Sequence, residues 1–179
     1  EGVHSGVGSG VIPSTFRIAR QLISRLENED TGTVIDDLQV RIPKDKYTQL
    51  YDLAEDVGPD AIFGPVPFLE NTKPVHPSHF EALLNQTWKP QLEVIGAGGL
   101  PDYETAGNVL RQETILKLSM RLPPTMDSDE AGKKMKEILE RDPPYGAHVE
   151  YDILASGNGW NANPYSEELA QIVEDAAHF

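Results

Sequence analysis

The residue best suited to chemistry in this sequence is His4, which lies in a glycine-rich run at residues 1–13, EGVHSGVGSGVIP. Four glycines give the backbone around it freedom to turn and to approach other groups closely: Gly2, Gly6, Gly8 and Gly10. A histidine in such a loop can be presented to a ligand instead of being packed in a core. A flexible turn with an incidental histidine explains the same residues, so both interpretations stay open here.

A glycine-rich loop ahead of a helix can also bind phosphate through backbone amides. The run lacks the lysine of a nucleotide P-loop, and its glycine spacing differs from the dinucleotide-binding fingerprint. Phosphate binding is therefore disfavoured.

Two further candidates are Asn108 and Arg121. Residues 114–122 alternate between polar and apolar types, and Arg121 falls on the polar face just before a proline pair. A guanidinium there can clamp a carboxylate through two hydrogen bonds. A solvated surface arginine is the plainer explanation. Asn108 follows Gly107 in a predicted turn, where asparagine is common for backbone reasons alone.

The sequence predicts no metal site in this chain. His76 and His79 are separated by Pro77, so they do not form a ligand pair on a helix. The chain has no cysteine, which excludes a thiolate site and a disulfide framework.

Composition limits the possible partners. Fifteen Lys and Arg residues against 29 Asp and Glu residues give a formal charge of −14, which is unfavourable for binding nucleic acid or an anionic membrane. No apolar run reaches the roughly 18 residues of a membrane-spanning helix, and no signal-peptide pattern opens the chain. We expect one domain, or one domain plus a piece of another, in a soluble cytoplasmic protein. Because the sequence lacks an initiator methionine, we expect an excised fragment.

The helices and strands that position these residues can be predicted from the apolar periodicity of the sequence. Helices are predicted at 13–27, 128–141 and 166–179, and extended segments at 34–42, 92–95, 114–122 and 148–155. Residues 44–90 are predicted to be an insertion that contains two helices and a proline-rich loop. The strands are short and the helices are predicted on one side. We therefore expect an α+β two-layer sandwich, with an antiparallel (ferredoxin-like) sheet, helices on one face and a helical insertion.

Three stretches in this order resemble one family: HSG ahead of a long amphipathic helix, GNV at 107–109, and LKLSMRLPPTMD at 116–127. They are similar to the lid, or dimerisation, domain of the M20 metallopeptidases, and most of all to the carnosinase-like dipeptidases and acyl-amino-acid hydrolases. Asn108 and Arg121 are 13 residues apart, as are a polar lid residue and a strand arginine in that family. The chain departs from the family where the usual glycine pair after HSG is replaced by Gly8-Ser9-Gly10.

The resemblance implies a two-zinc peptidase whose lid sheets pair at their edges to form a homodimer. Family members use a metal-bound water as nucleophile and a glutamate as general base. Both would belong to a catalytic domain outside this chain, so the isolated chain would be inactive. Residues 1–156 would be the lid, and residues 157–179 the linker and first helix that return to that domain.

The resemblance also implies roles for the candidate residues. His4 of the partner subunit would donate a hydrogen bond to the oxyanion of the tetrahedral intermediate. Asn108 would fix the substrate backbone, and Arg121 would hold the free carboxylate of a dipeptide or N-acyl amino acid. The alternative that stays open is a non-catalytic ligand-sensing or interaction module of the same α+β form.

Overall fold

The computed structural model describes residues 2–177, apart from the side chains of Glu174 and Ala177. Within this range it contains six α-helices: α1 (Ser5–Gly8), α2 (Thr15–Ile23), α3 (Lys44–Phe63), α4 (His79–Thr87), α5 (Ser128–Glu140) and α6 (Glu167–Ala177). Two strands, β1 (Gln91–Gly98) and β2 (Ile115–Arg121), form an antiparallel sheet. The α+β class predicted from the sequence is confirmed. No helix in this range is long and apolar enough to cross a membrane.

The sheet pairs the two strands over their full length, from Gln91 opposite Arg121 to Gly98 opposite Ile115. The register shifts between Val94 and Gly96, so Ile95 is the extra residue of a β-bulge. The sequence predicted that the glycines after Ile95 end β1. The strand instead continues through Gly98, because backbone pairing with β2 supports those glycines.

Two helices cover one face of this sheet. From α2 come Ile18 and Leu22, followed in the chain by Leu26, and from α5 come Ala131, Met135 and Leu139. They pack with Leu92 of β1 and with Leu118 and Met120 of β2. Both helices begin at side-chain caps. Ser14 Oγ accepts from the Arg17 amide, and the Asp127 carboxylate accepts from the amides of Asp129 and Glu130. The result is one helical layer on one sheet layer.

Residues 44–90, which the sequence predicts to be an insertion, have an apolar cluster of their own. Ala54, Phe80 and Leu84 are buried between α3 and α4, and the rings of Tyr47 and Tyr51 meet the Phe80 ring edge-on at 5.0 and 5.3 Å. A kink in α3 at Gly58, with φ of 72°, accommodates the following proline. The proline-rich loop after α3 forms no strand, as predicted.

The predicted strand at 148–155 is wrong. These residues run along α5 without forming a ladder, and two side chains of that helix hydrogen-bond the backbone of Tyr151 in its place. Lys136 Nζ donates to the Tyr151 carbonyl at 2.8 Å, and the Tyr151 amide donates to Glu140 Oε1 at 2.8 Å. The extended segment predicted at 34–42 contains a 3₁₀ turn at Asp36–Leu38. Glu1, His178 and Phe179, which fall in predicted segments, lie outside the described residues.

Candidate functional site

The loop that carries His4 is bound through its backbone to the segment that carries Asn108. The Leu110 amide donates to the Val3 carbonyl and the Ser5 amide donates to the Asn108 carbonyl, both at 2.8 Å. His4 thereby forms an isolated antiparallel bridge with Val109. The structure brings His4 and Asn108 side by side although 104 residues separate them in sequence, and both are exposed.

Two glycines allow this close packing. A Cβ on Gly2 would overlap Val109 Cγ1, and a Cβ on Gly8 would lie 2.5 Å from Leu110 Cδ1. A larger residue at either position would require the Val109 or Leu110 side chain, or the loop itself, to shift. The small size of these glycines thus lets the loop pack closely against residues 109 and 110.

His4 is also the N-cap of the single helical turn α1. Its Nδ1 atom accepts a hydrogen bond from the Gly6 amide at 3.0 Å. A neutral imidazole has one acceptor nitrogen and one N–H donor. With Nδ1 engaged as the acceptor, the donor of the neutral ring is Nε2, and the ring is exposed. The loop thus presents an N–H group outward. This turn could not be predicted from the sequence, because glycines disfavour helix and histidine is not among the preferred N-cap residues.

A hydroxyl pair ties this loop to the sheet. Thr15, at the start of α2, and Thr114, just before β2, share a hydrogen bond of 2.8 Å between their Oγ1 atoms. Both residues are partly buried. The candidate site therefore sits at the end of the sheet where β2 begins.

Arg121 lies at the opposite end of β2. It is the last residue of that seven-residue strand, whose length is about 20 Å at roughly 3.3 Å per residue. Arg121 alternates with the core-facing Leu118 and Met120 and is exposed on the other face. Within the described part of the chain it forms no ion pair. One copy of the chain therefore brings His4 to Asn108, but not to Arg121.

One open cavity lies elsewhere on the molecule. It has a volume of about 520 Å³ and is lined by Arg25, Ile35, Asp37, Ile138, Arg141 and Asp142. The Arg25 guanidinium donates to the carbonyls of Ile138, Arg141 and Asp142, so its positive charge already caps the C-terminal end of α5. None of the predicted site residues lines this cavity.

A carboxylate with a perturbed pKa lies just after α2, at Glu27, which forms an isolated bridge with Val34. Burial, and secondly the negative charge of Glu93, raise the pKa of Glu27 above its ordinary value. Across residues 2–177, no three side chains of His, Asp or Glu are grouped so that they could hold a metal ion.

The amino-acid sequence of the chain matches a known protein family. Residues 1–147 match the model of the M20 peptidase dimerisation domain. The chain belongs to this family. No curated protein sequence matches the chain at a comparable level.

Solved structures with the same fold include M20 enzymes. The dipeptidase Dug1p from Saccharomyces cerevisiae is 18% identical over 97% of this chain, with a TM-score of 0.68. Human carnosine dipeptidase 1 is 17% identical over 78%, with a TM-score of 0.56. The M20 metallo-carboxypeptidase Sso-CP2 from Sulfolobus solfataricus is 15% identical over 78%, with a TM-score of 0.54. This M20 dimerisation domain spans 38%, 29% and 36% of those three chains, respectively.

Proposed function

We propose that this chain is the lid and dimerisation domain of a zinc-dependent M20 peptidase that hydrolyses the amide bond of dipeptides or N-acyl amino acids. Family membership and the dipeptidases among the solved structures support this function. The observation that carries it is the backbone clamp that joins His4 to Asn108. A loop of that rigidity is suited to holding a hydrogen-bond donor in one place.

His4 would stabilise the oxyanion of the tetrahedral intermediate. Its Nδ1 atom is engaged by the Gly6 amide, so the outward Nε2–H group is available as the donor. A donor held before the reaction needs no reorganisation as negative charge develops on the substrate oxygen. Asn108, fixed to the same loop, would hold the substrate backbone.

Arg121 would bind the free carboxylate of the substrate, and it would do so from a different copy of the chain. A dipeptide spans about 7 Å when extended, whereas β2 alone measures about 20 Å. A small substrate therefore cannot follow β2 from the Asn108 end to Arg121. We propose a composite site in which one protomer supplies His4 and Asn108, and its partner supplies Arg121.

Surface composition supports a homodimer. Val7, Val11 and Ile12, on the loop that follows His4, are 75%, 80% and 42% exposed. Apolar side chains grouped beside a functional residue are typical of an interface. Among the described residues the sheet has only two strands, so each strand has one edge open to pairing.

The zinc ions implied by the family would bind outside this chain. The described residues contain no group of three donor side chains suited to hold a metal ion. The isolated chain would accordingly be inactive, and its contribution would be to bind and orient the substrate and the oxyanion.

The experiment is a hydrolysis assay on the intact protein that contains this chain, with dipeptides and N-acyl amino acids as substrates. We expect turnover that a chelator removes and added zinc restores, and none from the isolated chain. Turnover by the isolated chain, or none by the zinc-loaded intact protein, would overturn the proposal.

A further inference from the structure

The segment after residue 147 is attached to α5 at successive points. Beyond the contact of Lys136 with Tyr151, a Cβ on Gly132 would lie 2.6 Å from Ile153 Cδ1, which shows that the Ile153 side chain packs directly on α5 at this glycine. Ser156 Oγ then donates to Asp129 Oδ1 at 3.4 Å. As the chain advances, its contacts move toward the N-terminus of α5.

Asn158 continues this series at the first residue of the helix. The Ser128 amide donates to Asn158 Oδ1 at 2.7 Å, and Ser128 is only 8% exposed. The first amides of a helix have no partner within the helix. Asp127 accepts from the amides of Asp129 and Glu130. Asn158 therefore completes the cap of α5 from a point 30 residues further along the chain.

Gly159 lies directly on the corner that joins β2 to α5. A Cβ on Gly159 would be 2.7 Å from Pro124 Cα and 3.3 Å from the Pro123 carbonyl oxygen. Pro123 is fully buried and follows Arg121 by two residues. The next residue after this contact, Trp160, is 84% exposed. The corner beside Arg121 is thus in contact with Gly159.

We propose that Asn158 and Gly159 are positioning residues for Arg121. They hold the departing chain against the Pro123–Pro124 corner and so fix the end of β2 that carries the guanidinium. The carboxylate-binding role of Arg121 belongs to the proposed function, on which this inference rests. Neither residue touches the substrate, and both act through the corner.

Two glycines in the same loop give a matched test. Gly159→Ala places a Cβ against the corner, whereas Gly157→Ala places one in open space, and neither position requires a positive φ. The intact protein would be assayed with a dipeptide and with the C-terminal amide of that dipeptide, as substrate or competitive inhibitor. We expect Gly159→Ala to raise KM for the free acid about tenfold, with kcat and the affinity for the amide nearly unchanged. Gly157→Ala should behave as wild type. An equal loss for both compounds, or no loss in Gly159→Ala, would overturn the positioning role.

Asn158 is tested by amide exchange at Ser128 in the intact protein. Asn158→Ala should accelerate exchange about tenfold, because the amide loses its acceptor. Asn158→Asp keeps an oxygen at the same place and should restore both the protection and the low KM for the free acid. Asn161→Ala, at an exposed position in the same segment, is the control. Equal exchange rates in wild type and Asn158→Ala would show that the anchor does not exist, even if the wild type had no peptidase activity. Absence of turnover in wild type would instead overturn the proposed function and the role of Arg121 with it.

Discussion

Replacing His4 tests two functions of one side chain. In the wild type, Nδ1 caps α1 by accepting from the Gly6 amide, and Nε2 is the outward donor. His4→Ala removes both functions. His4→Asn keeps a side-chain oxygen suited to an N-cap but is too short to place a donor where Nε2 lies. The two variants therefore separate the cap from the donor.

The expected magnitudes differ for the two functions. Loss of a preorganised oxyanion donor costs about 2.7–4 kcal/mol, or roughly 100- to 1,000-fold in kcat. Loss of an N-cap costs about 1 kcal/mol of stability. Both variants should therefore lose kcat by the larger factor, while only His4→Ala should be measurably less stable.

Steady-state kinetics on the intact protein, with a thermal melt of each variant, make the comparison. A kcat within about threefold of wild type in either variant would refute the assignment of His4 as the donor. A larger kinetic loss in His4→Ala than in His4→Asn, matched by a lower melting temperature, would show that His4 acts through the fold of its loop.

Three further predictions concern the same structure. Gly6→Ala should lower kcat more than Gly107→Ala in the hydrolysis assay, because its Cβ would lie 3.1 Å from His4 Nδ1 whereas Gly107 faces open space; equal kcat values would contradict the fixed ring position. Glu27→Gln should raise the melting temperature at pH 7. The raised pKa of Glu27 means that its ionised form destabilises the fold. The gain in melting temperature should therefore vanish below about pH 4, where the wild-type carboxyl is protonated in both the folded and the unfolded state. A gain that persists below that pH would contradict the raised pKa. Leu84→Ala should destabilise the insertion by about 2–5 kcal/mol in denaturant titrations, since Leu84 is 1% exposed; a smaller loss would show that the insertion has no core of its own.

Elements whose apolar periodicity is accompanied by local end signals could be predicted from the sequence. The helix expected at 128–141 is observed at Ser128–Glu140, with Asp127 as its N-cap. The strand expected at 114–122 is observed at Ile115–Arg121. In both elements, the face that the apolar periodicity predicts to be buried packs on the core. The Asp127 carboxylate sets the start of α5, and the Pro123–Pro124 pair sets the end of β2; both signals are visible in the sequence.

The elements that depended on distant partners could not be predicted in the same way. Residues 148–155 alternate like a strand, but the backbone groups of Tyr151 in their middle bond to Lys136 and Glu140 of α5. The clamp between His4 and Asn108 joins backbone groups 104 residues apart, which no local pattern encodes. The spacing of Asn108 and Arg121 indicated a family, but not that the two residues lie at opposite ends of β2.

The composite site is tested most directly by subunit complementation in the intact protein. His4→Ala and Arg121→Ala variants would be prepared separately, mixed in equal amounts, dissociated and reassembled. If the two residues serve one site from different protomers, a mixed dimer has one site with both residues intact and one with neither. Random pairing should then restore about one quarter of wild-type activity. Activity no greater than the average of the two variants alone would contradict the division of the site between protomers.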